Sequence, residues 1–472
     1  TIPDHSYADN GFCSVCGDVN PNFLTPAEDG WFELANATEL TWWSHYAAKV
    51  NLGACARLTD DIDMQGVDNY AVIGGEFKPF YGSVDGQFHV ISNLKINVPT
   101  QKGVGFIGVM NSIPTKEQAK DTDRDANPAF IRNLTLDESC SVTAQGYVGG
   151  ILGMTSSWPG RVEVKNCVVR CSVTAVDAAN AGGIHGCCMG STCAIVVDNC
   201  GVTSTVTGPK ENGVISGWMG SHGTLTNCWS ISEVYEGESL VSNFVRATPA
   251  SKNNWWIKEQ KDIVTNTFNM DIVDTGELTW RLNRSQFKEP VWYQRVGDDE
   301  IPYLDSEGGV VAYICGGYYS IYDDASLMEA VNAAKAGYGE LTGAVAYQGT
   351  RDDLADKLEA LDACADYVDL AIALDTINVY VGKVNASIKA YEAYKTICEN
   401  TKAYLETHQD FEGEDRDNLS DYLTEFLEPS EENPYGSYQY VWENMQVTDE
   451  ELAKEGERVN QWLLDAIANG YI

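Results

Sequence analysis

Nowhere in the 472 residues do eighteen apolar residues follow one another, so the sequence carries no bilayer-spanning helix. Positive charge is equally scarce: 31 Lys and Arg stand against 69 Asp and Glu, for a net charge of −38. A field of that sign repels phosphate backbones and anionic lipid, which excludes nucleic acid and basic-patch membrane binding as modes of action. Six histidines are present, and none belongs to a His-Glu-x-x-His pair, the helix-borne zinc site of many peptidases. Thr1-Ile2-Pro3-Asp4 shows neither a basic nor an apolar leader region, so any signal peptide is expected outside these residues.

The remainder reads as a folded chain. Apolar content of 44% with 21% charged residues is that of a globular protein, and the length calls for two to four structural units. An extracellular or surface-displayed location fits the acidic balance. Fourteen cysteines raise the question of disulfides, which the repeat pattern answers.

One element recurs as apolar-x-Asn-[Leu/Cys]: Ile91 to Leu94, Ile131 to Leu134, Val164 to Cys167, Val197 to Cys200 and Leu225 to Cys228. Its asparagines Asn93, Asn133, Asn166, Asn199 and Asn227 are spaced by 40, 33, 33 and 28 residues. A second element, apolar-x-Gly, follows at Gly108, Gly153, Gly186 and Gly217, at offsets of 15, 20, 20 and 18 residues. Two signals that keep phase identify a stack of repeated coils, each unable to bury its apolar face alone. Short β-rich runs such as Val162-Glu163-Val164 fill each period. Asparagine tolerates left-handed backbone, and its amide can bond to the asparagine one coil away. Glycine lets neighbouring coils approach closely. Cys167, Cys200 and Cys228 share their slot with Leu94 and Leu134, so they are expected as reduced, core-filling thiols. A rung-to-rung disulfide remains the alternative. The expected fold is a right-handed parallel β-helix solenoid followed by a C-terminal α-helical bundle.

Gly146-Tyr147-Val148-Gly149-Gly150-Ile151-Leu152-Gly153 and Ala181-Gly182-Gly183-Ile184-His185-Gly186 resemble the GLUG motif of large surface proteins of gut bacteria, a group that includes immunoglobulin A peptidase-like proteins. Leu58 to Met64 and Tyr81 to Leu94 resemble the entry coils of such proteins. Thr275 to Asn283, Val291 to Gly297 and Pro302 to Leu304 resemble the segment that closes them. The resemblance spans about residues 30–315 and implies architecture; it implies little about activity, because such repeats accompany many effector domains.

Three regions follow. Residues 1–29 form a Cys/His linker or zinc-ribbon fragment. Residues 30–320 form the β-helix, with a capping helix near Asn36 to Trp43 begun by Asn36 or Thr38 and a closing segment at its end. Residues 321–472 form the helical bundle, with one apolar stripe over Leu354, Leu358, Leu361, Tyr367/Val368 and Ile372. Val384, Ile388, Tyr391, Ile397/Cys398 and Tyr404/Leu405 make another, and Thr448-Asp449-Glu450-Glu451 opens the last helix.

Candidate chemistry is sparse. His5, Cys13 and Cys16 make His-x7-Cys-x2-Cys-Gly, half of a tetrahedral zinc site, with a disulfide or free thiols as the alternative. Asp121, Asp123, Asp125 and Asn127 space oxygens like half of a calcium loop, but Ala126 stands where glycine is required, so a solvated acidic loop is expected and calcium is not. His185, beside Cys187 and Cys188, occupies a repeat slot and is expected at a surface or coil position. Asp198, Lys165 and Arg132 hold equivalent slots, as a charge ladder would. Trp218, Trp229, Trp292 and Tyr293 are candidates for an aromatic platform that stacks on sugar rings, or alternatively for packing of the closing segment. The expected function is non-catalytic binding of glycans or host surface proteins by a monomer. A fragment of a larger peptidase or glycan-degrading enzyme, or a β-helical lyase or hydrolase, are the alternatives.

Overall fold

A computed structural model describes residues 5–123, 125–188, 190, 192–241, 244–246, 249–256, 275–284, 291–294, 299, 301–304, 310–321, 323–410 and 412–470. Arg295 to Gly297 of the expected closing segment therefore lie outside the described residues. The chain divides into two compact units, Thr1–Val310 and Val311–Ile472.

Among the described residues the first unit is built of mostly parallel strands in three large sheets, with a small antiparallel pair, Trp292–Tyr293 and Tyr303–Leu304. The largest runs through Phe32–Leu34, Ala56–Leu58, Val84–Asp85, Ala129–Leu136, Gly160–Val169, Cys193–Asp198, Thr224–Thr226 and Ala250–Lys252. A four-stranded sheet orders Ile107–Met110, Leu152–Thr155, His185–Cys188 and Ser216–Trp218 side by side. The third includes Lys95–Val104, Ser141–Gly149, Ser172–Ala175 and Val206–Gly208. Strands pair one repeat apart: Val162 lies beside both Ala129 and Ile195, each 33 residues away. Apolar residues at alternate positions, such as Val162, Val164, Ile195 and Val197, are fully buried in one continuous core.

The asparagines make the corners. Asn133, Asn166, Asn199 and Asn227 hold φ between 50° and 58°, the left-handed region that asparagine tolerates better than other side-chain-bearing residues. Asn166 Nδ2 donates to Asn133 Oδ1 at 2.8 Å, and Asn199 Nδ2 donates to Asn166 Oδ1 at 2.6 Å. Asn93 does not belong to this row. The strand Val84–Asp85 takes the place beside Asn133, whose amide donates to Asp85 Oδ1 at 3.0 Å. Asn93 instead turns at the next corner, giving its amide to Asp63 at 2.8 Å, because Ile91 pairs with Leu136 rather than Ile131. Its 40-residue step was the sign of this extra strand. Leu94 consequently leaves the slot shared by Leu134 and Cys167. At the far end Asn253 extends the row, donating to Asn227 at 2.5 Å with φ 53°. Ser251 and Asn254 stand where the repeat calls for apolar residues, which hid it from pattern reading.

Gly153, Gly186 and Gly217 are required by close approach. A methyl group on Gly186 would sit 2.4 Å from Gly153 O, and one on Gly217 2.7 Å from Gly186 O. Cys167, Cys200 and Cys228 are buried with free thiols.

Helix α1 (Ala37–Lys49) starts at Asn36, whose side chain accepts from Glu39 N, and buries Leu40, Trp42, Trp43 and Ala47 into the same core. Helix α2 (Thr275–Arg284) and the residues after it cover the outer side of the large sheet: Leu278, Leu282, Trp292 and Ile301 pack on Val168, Trp229 and Trp255.

In the second unit α3 (Asp324–Gly339), α4 (Gln348–Glu359), α5 (Tyr367–Thr407), α6 (Glu414–Thr424), α7 (Tyr438–Asn444) and α8 (Asp449–Gly470) follow a strand pair, Val310–Ile314 and Gly317–Ile321. The first expected stripe is split, Leu354 and Leu358 on α4 and Tyr367/Val368 at the start of the 41-residue α5, which carries the second stripe; Ile372 is 52% exposed, outside the stripe assigned to it. Asp366 caps α5 by accepting from Val368 N and Asp369 N. Thr448 and Glu451 form a reciprocal capping box at α8, with Thr448 N to Glu451 Oε2 at 3.0 Å. Tyr391, Tyr394, Cys398, Leu419, Tyr422 and Val459 make the core.

Candidate functional site

The best-formed cluster of metal-ligating side chains lies in a small hairpin at residues 5–20. Two bridges, Tyr7 with Cys13 and Phe12 with Val19, bring its arms together. Gly17, at φ 74°, reverses the chain after the second cysteine, and its N–H donates to Cys13 O at 2.9 Å. One donor atom from each of His5, Cys13 and Cys16 lies within 4.8 Å of the others, and His5 Nδ1 is 3.3 Å from Cys16 Sγ. Backbone N–H groups of Cys16 and Val15, and then His5, lower the Cys13 thiol to about 6. The three residues that spacing singled out are thus brought to one point.

The hairpin is seated on the first helix. Trp42 Nε1 donates to Asn20 O at 2.8 Å, and the Phe12 ring meets His45 edge-on at 5.0 Å.

Of the candidate platform residues, Trp229 and Trp292 pack within the closing segment. Trp229 and Trp292 are fully buried and meet each other edge-on at 5.6 Å, so neither ring is open to a sugar. Trp292 Nε1 also donates to Asn199 Oδ1, tying the covering segment to the corner row. Tyr293 is half-buried. Trp218 remains 38% exposed, with the Arg246 guanidinium 5.9 Å above its ring. His185 is likewise corrected: it is fully buried, its Nδ1 lies 2.9 Å from Ser216 Oγ, and Nε2 meets no partner among the described residues. Burial lowers its imidazole to about 3, so it is a neutral core residue.

The charge ladder is longer than three residues. Along the outer face of the large sheet Glu33, Arg57, Asp85, Arg132, Lys165 and Asp198 are register neighbours in that order. Arg57 binds Asp29 at 2.6 Å and Glu33 at 2.7 Å, and Arg132 binds Asp85 at 2.8 Å. Burial pushes the Asp198 carboxyl up to about 6. Beside this row two half-buried aromatic rings lie against each other at a tilt: Trp31 and Phe130 are 6.0 Å apart at 30°, with the Arg132 guanidinium 4.6 Å from Phe130. Sequence reading missed both rings. The available signal was Phe130 three residues before Asn133, a position where alternation turns side chains outward.

Asp121, Asp123 and Asp125 are exposed; Asp123 accepts from Asp125 N at 3.1 Å, as in an ordinary acidic turn. No described helix is long and apolar enough to cross a membrane.

No protein-family model matches the chain, and no curated protein does. Among solved structures, the chain is similar to a putative immunoglobulin A1 protease from Bacteroides ovatus, at 18% identity over 60% of this chain and 94% of that one. The TM-score is 0.38, below that of a shared fold.

Proposed function

We propose that the first unit is a right-handed parallel β-helix of the GLUG-motif kind, and that the chain is a non-catalytic, extracellular or surface-displayed binding protein that takes glycans on the outer face of its large sheet. The β-helix reading is supported by strands that pair in parallel one repeat away in three sheets, and by asparagine corners that bond from repeat to repeat. The observation that carries the binding reading is the Trp31–Phe130 pair with its flanking groups. Carbohydrate rings present apolar C–H faces and a rim of hydroxyls. Two adjacent aromatic rings, tilted 30° to each other, offer the first an apolar contact, and Arg57, Arg132, Asp29, Glu33 and Asp85 offer the second both donors and acceptors. These side chains are prearranged by their own ion pairs, so little ordering accompanies binding.

A non-catalytic role is in keeping with the burial of the His185–Ser216 pair and of the Cys167, Cys200 and Cys228 thiols. A glycan array with the full chain, repeated with Trp31→Ala and Phe130→Ala, tests the reading. Retained glycan captured by wild type and lost in both variants supports it. Release of shortened product would instead assign a lyase or hydrolase, and binding untouched by either substitution would remove this face.

A further inference from the structure

We infer that His5, Cys13 and Cys16 bind one zinc ion, and that this ion locks the hairpin of residues 5–20 onto helix α1, a role separate from glycan binding. A tetrahedral zinc with ligands at about 2.0–2.3 Å requires donor atoms about 3.3–3.8 Å apart. The three donors already lie within 4.8 Å, with one pair at 3.3 Å, so closure needs only side-chain adjustment. Two sulfurs and an imidazole are a soft donor set that selects zinc over calcium or magnesium. Cys16 and His5 are exposed, which leaves an entry path and room for water at the fourth position. As zinc is ligated, each thiol forms its metal–sulfur bond and gives its proton to solvent.

The hairpin has a reason to use a metal. Its contribution to the core is small: Cys13 and Val19 are buried, whereas Tyr7 is 38% and Val15 76% exposed. A segment with so little apolar burial depends on a staple. The staple would act on the end of the large sheet, since Asn20 O holds Trp42 and Phe12 packs on His45 of the helix that covers the first strands. A Cys13–Cys16 disulfide would use the same thiols and exclude the ion.

The test uses the full chain, reduced under anaerobic conditions, loaded with zinc and freed of excess metal. The expected content is about one zinc per chain, and cobalt(II) in its place gives a thiolate charge-transfer band. Cys16→Ser, at an exposed position, abolishes both, and His5→Ala weakens zinc retention against a chelator. Cys315→Ser, an exposed cysteine of the other unit, changes neither. Zinc also slows proteolysis within residues 5–20 of wild type but not of Cys16→Ser. Failure of the reduced wild type to retain metal, or undiminished retention by Cys16→Ser, overturns the site. Metal retained without any protection of the hairpin overturns the locking role. Glycan capture unaffected by zinc removal is expected, so the two readings fail separately.

Discussion

Replacing Asn166 with alanine tests the corner row most directly. Asn166 gives its amide hydrogen to Asn133 at 2.8 Å and accepts from Asn199 at 2.6 Å, so truncation removes two side-chain hydrogen bonds. At about 1 kcal/mol each that is about 2 kcal/mol. The backbone at Asn166 has φ 50°, and alanine held in that left-handed region adds about 1 kcal/mol. The expected loss is therefore about 3 kcal/mol. Asn166→Gly loses the same two bonds but meets no Cβ clash, so it should exceed the alanine variant in stability by about 1 kcal/mol. Asn166→Asp keeps an acceptor for Asn199 but sets a carboxylate oxygen against Asn133 Oδ1, also an acceptor, so at neutral pH it should be no more stable than the alanine variant. Urea unfolding followed by tryptophan fluorescence reports the relevant unit, because ten of the twelve tryptophans precede residue 310. The reasoning fails if Asn166→Ala lies within about 1 kcal/mol of wild type, or if glycine is worse than alanine.

Other positions give independent checks. Gly186→Ala would place a methyl 2.4 Å from Gly153 O and 2.6 Å from Val148 N; a loss of about 3 kcal/mol or more is expected in the same urea assay. His185 is held neutral by burial down to about pH 3, below its ordinary 6.5. The unfolded chain therefore takes up the proton first as pH falls, and stability present above pH 6.5 is lost at up to about 1.4 kcal/mol per pH unit until the folded imidazole also titrates. The gap between wild type and His185→Gln, measured from pH 7 to about pH 4, should narrow or reverse by that slope; a constant gap would contradict it. In the second unit Glu455 is 2% exposed and bonds Tyr422 Oη at 2.7 Å and Arg458 at 2.5 Å. Arg458→Met should cost about 1–3 kcal/mol by leaving the buried Glu455 with only its bond from Tyr422, and an unchanged melting profile would show that the pair contributes little.

The sequence by itself determined the corners and the close approaches. Asparagine in the left-handed region and glycine beside a neighbouring backbone are local requirements, so Asn133, Asn166, Asn199, Gly153 and Gly186 announce themselves wherever they recur. Ligand spacing likewise put His5, Cys13 and Cys16 together, because a short hairpin leaves few other arrangements. Which repeats stack was decided only in three dimensions: Val84–Asp85 displaces Asn93 from the row, and Asn253 joins it although its neighbours break the pattern. Exposure was decided there too. Trp229 and Trp292 look like binding residues until α2 and the chain beyond it cover them, while Trp31 and Phe130, about a hundred positions apart, become a surface only when the strands align. Backbone conformation is set mainly by a residue and its neighbours, whereas the face a side chain shows to solvent depends on what else folds over it.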